Sequence, residues 1–370
     1  MTGPRYTALS QTLPATVPFV GPETQERASG RRFAARLGAN ENVFGASPLA
    51  LAALQEASTE LWMYGDPESH DLRHALAEFH NVGPENIVVG EGIDGLLGYL
   101  ARLLVEPNDP VVTSAGAYPT FNYHVSGFGG VLHQVPYRDD HEDIQALFAK
   151  AHEVKAKMVY LANPDNPMGS WYTSDAILAA LPDLPQDTLL VLDEAYVELA
   201  PEGTALEIDI ADPRVIRMRT FSKAYGLAGA RVGYALGAEP LITAFNKIRN
   251  HFGMNRAAQA GALAALKDQD WLDQTTKAIA EARQQLAEIA APYGLHALLS
   301  ATNFVTLDCG KDAQFAKDLL TALVQEGIFV RMPFVAPQNR CIRVSAGRPQ
   351  DLKAFKTALP IALAKVQNTP

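Results

Sequence analysis

A mainly parallel, seven-stranded α/β sheet joined to a smaller α+β domain is the architecture that this 370-residue chain predicts. Three observations carry it. From about Glu85 to Gly237, short β-rich runs alternate with helix-patterned segments. Those runs are apolar almost throughout rather than at every second residue, as strands covered on both faces must be. After Ala238 the texture changes to long helical patterns with only short strand-like runs between them.

The elements follow in order. Up to about Val43 the chain is rich in Pro, Gly and Ala and reads as an irregular arm, residues 1–43, expected to pack on the smaller domain. A large domain is expected over residues 44–245. Its candidate strands are Asn86–Gly90, Pro110–Ala115, Gly130–Pro136, Lys157–Asn163, Thr188–Glu194, Arg214–Thr220 and Arg231–Gly237. Segments such as LLGYLARLL, EDIQALFAKA and SDAILAAL supply the helices between them. A long helical pattern from Pro240 through about Ala291 leads into the small domain, residues 246–370. There, strands are expected around NFVTLDC and CIRVSAG with a helix between.

Composition narrows the function. Hydrophobic residues at 48% and charged residues at 19% describe a folding chain, not a disordered one. A net charge of −10 opposes a nucleic-acid partner, whose phosphates attract basic patches. Cys309 and Cys341 alone cannot make a disulfide framework or a four-sulfur zinc site. His70 and His74 stand four apart, but no carboxylate or cysteine cluster completes a metal sphere, so no metal is expected. The N-terminus lacks the basic start and apolar core of a signal peptide, and no apolar run is long enough to cross a bilayer. A cytoplasmic protein without a membrane partner is the expectation.

Four motifs carry chemistry. In VVGEGIDGLLGYLARLL a strand ends in Gly-Glu-Gly and a helix starts near Ile93 or Asp94. Free N–H groups reached through Gly92 suit a phosphate, although an ordinary turn with Asp94 as N-cap reads equally well. In YLANPDNPMGS, Asn166 lies between two prolines, either as part of a turn or as a fixed amide donor. In LLVLDEAYVE, Asp193 and Glu194 end a buried strand with Tyr196 just beyond. An acid there needs a cationic or proton-bearing partner unless it is a cap or a solvated strand end. TFSKAYGLAGARVGY sets Lys223 in an apolar, glycine-rich run with Ser222 before it and Arg231 eight residues on. A Ser-Lys dyad for acyl transfer would need an SDN- or KTG-like partner, which is not visible. A surface lysine is the plain alternative.

One cofactor needs all four together. The phosphate of pyridoxal 5′-phosphate needs a nest, a hydroxyl and an arginine. Its ring nitrogen needs a carboxylate, its phenolic oxygen needs donors, and its aldehyde needs a lysine.

With LGANENVFGASP, NPDNPMG, DEAY, RTFSKAYGLAGARVGY and RCIRVSAGR in place, nearly the whole chain resembles the fold-type I pyridoxal-phosphate-dependent aminotransferases of class I/II. It is most similar to their histidinol-phosphate branch. The resemblance implies that Lys223 bonds to the cofactor aldehyde and then moves a proton at the substrate α-carbon, while Asp193 pairs with the ring nitrogen. It implies that Asn166 and Tyr196 donate to the phenolic oxygen and that Tyr118 stacks on the ring. Gly92, Ser222, Arg231 and the N–H groups of Ile93 and Asp94 would hold the phosphate. Tyr64, in MYGDPE, would reach the cofactor of a neighbouring subunit, which implies a homodimer. Arg343 would clamp the substrate anion, and Asn40 and Phe19 would line the substrate side.

The chain departs from the family at three motifs. The family's NPNNPTG reads NPDNPMG and its NENP reads NENV, while the arm motif PYxPG appears as PFVGP, with Phe19 in place of the tyrosine. The reaction implied passes an amino group from histidinol phosphate, or an aromatic amino acid, to a 2-oxo acid such as 2-oxoglutarate. A lyase or decarboxylase on the same scaffold is the second reading. A DNA-binding regulator is the third, opposed by the absence of a helix-turn-helix segment.

Overall fold

The computed structural model describes residues 3–15, 19–205, 210 and 212–367. Its strands are β1 (Ala35–Arg36), β2 (Ile87–Gly90), β3 (Pro110–Ser114), β4 (Val131–Val135), β5 (Met158–Ala162) and β6 (Leu189–Asp193). They continue with β7 (Val215–Thr220), β8 (Gly233–Gly237), β9 (His296–Ala297), β10 (Phe304–Asp308), β11 (Ile328–Phe329) and β12 (Cys341–Ser345). The seven expected strands form one sheet in the order β2-β8-β7-β6-β5-β3-β4. It is parallel except for β8, which runs antiparallel to both β2 and β7.

The unbroken apolar character of these strands has the cause inferred for it. Met158, Tyr160 and Ala162 of β5 pack on one face with Leu96, Leu97 and Phe121. Val159 and Leu161 pack on the other with Ile144, Leu147 and Phe148. Side chains alternate between faces, and both faces are core, so both sets must be apolar.

Two runs differ from expectation. The helical pattern over Pro240–Ala291 is divided into Glu239–Ala244, Arg256–Lys267 and Gln269–Ala290. Asn255 accepts from the Ala258 N–H, and Asp268 accepts from the Trp271 N–H. Each side chain caps a new helix start, a local bond that outweighs continuing the old helix. The arm is also less irregular than its composition suggests. It holds helices Ala8–Thr12 and Pro22–Ser29, and β1, which pairs in parallel with β11. Proline at the start of Pro22–Ser29 and a left-handed Gly30 after it are ordinary helix punctuation. A three-stranded antiparallel sheet, β12-β10-β9, completes the strands. Among the described residues, no helix is long and apolar enough to cross a membrane.

Candidate active site

Sheet register gathers the four motifs at one edge. Ala162, Asp193 and Met218 stand side by side across β5, β6 and β7, and Gly90, Gly233 and Thr220 do so across β2, β8 and β7. The carboxyl ends of the parallel strands are where such sheets gather ligands. Because β8 runs the other way, its beginning, rather than its end, lies at this edge and brings Arg231 there.

Gly92, Ser222 and Arg231 meet at one end of the site. The helix Gly92–Leu104 starts immediately after β2. Glu91 occupies its cap without a side-chain bond, and Asp94 lies in the first turn, so the reading of Asp94 as N-cap does not hold. Arg231 donates to the Ser222 hydroxyl at 3.3 Å, and its guanidinium lies 3.7 Å from the Asp94 carboxylate. Gly92 has φ +76°, and a Cβ there would stand 2.5 Å from Arg231 Nη2. The missing side chain thus leaves a hollow bounded by a guanidinium, a hydroxyl and the N–H groups of a helix start, which suits a phosphate dianion.

Gly92→Ala tests that hollow. A left-handed backbone costs an alanine about 1–2 kcal/mol, and the methyl displaces the guanidinium. Affinity for pyridoxal phosphate is expected to fall about tenfold or more, while affinity for unphosphorylated pyridoxal changes little. Equilibrium dialysis with both compounds measures the difference.

At the other end, Asp193 is buried and accepts from Tyr160 Oη at 2.6 Å and from the Ala195 N–H at 3.0 Å. Burial pushes its carboxyl up to about 6, against the Tyr160 hydrogen bond. Among the described residues it has no ion-pair partner within reach, so a protonated ring nitrogen would supply the charge it lacks. Lys223 is half-buried. Its ammonium donates to the Asn40 carbonyl at 3.3 Å and lies 5.6 Å from the centre of the Tyr196 ring. Burial, then the positive charge of Arg343, lowers the amine to about 8. Asn40 has φ +55° and links several segments at once. Its amide donates to Tyr196 Oη at 3.0 Å, its Oδ1 accepts from Ser345, and its carbonyl also accepts from Asn303. Burial pushes the Tyr196 hydroxyl up to about 12, so it stays a donor.

Arg343 donates to the Asn166 side-chain oxygen and to the Gly38 carbonyl, while its buried Nε has no partner. With its oxygen taken, Asn166 is left with its NH2 group to offer. Tyr118 is half-exposed, and its hydroxyl is pushed up to about 12, first by burial and then by Asp94.

Two expected residues keep other company. Tyr64 is 78% exposed and packs on Phe252 with ring centres 4.8 Å apart. Phe19 is 45% exposed and lies under the Arg331 guanidinium at 4.6 Å. Sequence reasoning missed Arg331, Tyr160, Asn303 and Ser345. A tyrosine inside a buried strand, as in MVYLA, was the available sign for Tyr160, because its hydroxyl must find a partner. Arg331 ends the apolar run GIFV, and its backbone pairs with that of Arg343.

The residues present therefore fit pyridoxal phosphate from phosphate hollow to ring nitrogen. Comparison with known proteins agrees. The sequence pattern of the family "Aminotransferase class I and II" matches residues 35–359. A histidinol-phosphate aminotransferase 2 of Carboxydothermus hydrogenoformans is 33% identical over 95% of this chain and 98% of its own. A histidinol-phosphate aminotransferase of Anaeromyxobacter sp. is 38% identical over 86% of this chain and 88% of its own. The crystal structure of histidinol-phosphate aminotransferase from Sinorhizobium meliloti in complex with pyridoxal-5′-phosphate superposes with a TM-score of 0.95. It is 53% identical and covers 99% of both chains. The chain belongs to the class I and II aminotransferases and is a pyridoxal-phosphate-dependent enzyme acting on small molecules.

Proposed function

We propose that this enzyme moves the amino group of histidinol phosphate to a 2-oxo acid, with 2-oxoglutarate as the acceptor. The observation that carries the choice of donor is a pair of arginines. Arg331 and Arg343 exchange backbone hydrogen bonds of 3.2 and 2.6 Å, and each guanidinium has its proton affinity lowered, first by burial. Two guanidiniums carried on paired backbone positions suit a multiply charged anion such as a phosphate monoester. The names of the relatives support the same donor.

When bound, pyridoxal phosphate supplies the carbonyl that captures the amine and the ring that receives the electrons left when the α-proton departs. The chain's residues do the rest. Lys223, with an amine lowered to about 8, takes that proton and returns it. Asp193 holds the charge opposite the ring nitrogen, Tyr196 and Asn166 donate to the phenolic oxygen, and Tyr118 covers the ring. Ser222, Arg231 and the N–H groups of Ile93 and Asp94 fix the phosphate beside Gly92. Arg343 and Arg331 receive the substrate's anionic groups, with Asn40 and Phe19 alongside.

The reading includes a homodimer in which Tyr64 reaches the neighbouring site. Exposed Leu61, Trp62, Tyr64 and Phe252 support an apolar interface there. It also retains three parts: the arm 1–43, a large domain 44–245 and a small domain 246–370. The β1–β11 pairing supports an arm seated on the last of these.

Aromatic amino acids form a second reading, favoured by the Phe19 and Phe334 rings at 4.6 and 5.6 Å from Arg331. The cofactor's absorbance, recorded with histidinol phosphate, phenylalanine and glutamate in turn, separates the readings. Histidinol phosphate is expected to convert it to the aminated form. In Arg331→Ala, KM for histidinol phosphate is expected to rise about tenfold to a hundredfold, with little change in kcat. Conversion by phenylalanine but not by histidinol phosphate would overturn the first reading. Ammonia or carbon dioxide released without an acceptor would mark a lyase.

A further inference from the structure

Two carboxyl groups lie in the core next to Asn166 and play no part in the reaction described above. Glu142 and Asp165 are each 1% exposed and lie close enough to hydrogen-bond if one of them carries a proton. Their other contacts are all donors. Glu142 accepts from the Ala162 N–H at 2.9 Å and from Ser114 Oγ at 2.5 Å. Asp165 accepts from Tyr137 Oη at 2.8 Å and from the Met168 N–H at 3.0 Å. Among the described residues, no lysine or arginine forms an ion pair with either. Two ionised carboxylates side by side in a dry core would repel with no cation to offset them, so one of the pair stays protonated.

Asp165 also organises the turn that carries Asn166. Its N–H donates to the Ser170 carbonyl at 2.8 Å, and its carbonyl accepts from the Gly169 N–H at 3.1 Å. Thr306 of β10 holds the Pro167 carbonyl at 2.6 Å. We infer that Glu142 and Asp165 share a single proton which keeps the 163–170 turn, and with it Asn166, in register with Arg343. The pair is thus a positioning device. Its kinetic consequence rests on the transaminase reading above; its proton does not.

Burial raises both carboxyls above the ordinary range, which agrees with the shared proton. The groups facing the pair are few. Tyr137, Tyr160 and Tyr172 are each pushed upward by burial and stay neutral. His141 lies toward Asp165, while Arg138 and Asp143 lie beyond Tyr172. Asp193 lies beyond Tyr160, Arg343 senses Asp165 from β12, and Tyr196 senses it from beyond β6. None of these is a paired cation for either carboxyl. Removing the proton at high pH leaves two adjacent negative charges in a dry core; the pair separates, and the turn moves with it. The family motif NPNNPTG has asparagine at this position, a side chain that does not titrate.

Infrared spectra of the full-length protein, compared with Asp165→Asn and Glu142→Gln, test the proton directly. The carbonyl stretch of a protonated carboxylic acid is expected in the parent-minus-variant difference spectrum near neutral pH for each variant, where the contribution of Asp193, common to all three proteins, cancels. Because the folded chain holds a proton that the unfolded chain releases, stability falls as pH rises above the ordinary carboxylate range. In either variant that slope is expected to be shallower. For the kinetics, parent kcat is expected to drop about tenfold per pH unit above the pair's upper titration, and this limb disappears in Asp165→Asn. A residue that merely supported the fold would instead lower kcat by one factor at every pH. A band unchanged in both variants overturns the shared proton, and parallel pH profiles overturn the positioning role. If neither parent nor variant transaminates, the proposed function fails, and the infrared band and stability slope still decide the proton.

Discussion

Replacing Lys223 by alanine is expected to lower turnover by about 10⁴-fold or more, because on the proposed reading one substitution removes both the covalent tether and the base. The surroundings explain why no neighbour can take over. Asn40 offers Lys223 only a carbonyl, the Tyr196 hydroxyl is pushed up to about 12, and Arg343 is a guanidinium that does not release its proton. Tyr196 is too weak a base in its protonated form, and the other two have no proton-accepting amine to offer. The phosphate hollow at Gly92 does not depend on Lys223, so the variant is expected to retain pyridoxal phosphate non-covalently in dialysis. Turnover within tenfold of the parent would remove Lys223 from the chemistry, whatever the dialysis shows.

Asp193→Asn is expected to lower turnover by about 10³-fold while leaving the fold intact. Asparagine keeps the shape, with its oxygen accepting from the Ala195 N–H and its NH2 group donating to Tyr160 Oη, but it removes the negative charge that the proposed reading sets opposite the ring nitrogen. The same change has an opposite effect on stability. Without cofactor, the Asp193 carboxyl is pushed up to about 6 by burial, so the folded chain binds a proton that the unfolded chain has lost. Stability therefore decreases as pH rises from the ordinary aspartate range through about 6. Cofactor-free Asp193→Asn escapes that loss and is expected to be the more stable protein near neutral pH in chemical denaturation. A variant that is both less stable and fully active would contradict the charge argument on both counts.

The parts of the molecule legible in sequence are those decided locally. Apolar runs became strands where each strand meets core on both faces, a condition visible within five residues; the edge strand β4, with Val131 and Gln134 exposed, is the exception. The lysine, aspartate and glycine-rich turn could be read because each breaks a local rule: a cation or acid among apolar residues, or a helix start with spare N–H groups. Asn40 was legible only through resemblance. Its meaning comes from Tyr196, Asn303 and Ser345, which are up to 305 positions away, and no local pattern predicts such bonds. Arg331 was invisible for the same reason, since its importance comes from pairing with Arg343. The breaks in the C-terminal helical run were missed because Asn255 and Asp268 are tolerable within a helix. Only the bonds they make mark them as starts.

The reversed direction of β8 also has a consequence for the length of the loop before it. Since β7 ends and β8 begins at the same edge, the chain turns back on itself between Thr220 and Gly233. Lys223 and Arg231 therefore belong to one short loop rather than to separate elements. The spacing between the residue that would hold the aldehyde and the residue that would hold the phosphate is fixed by the number of residues in that loop. It works as a caliper whose arms are the hydrogen-bonded ends of β7 and β8. Substitutions in the substrate walls would leave that gauge untouched.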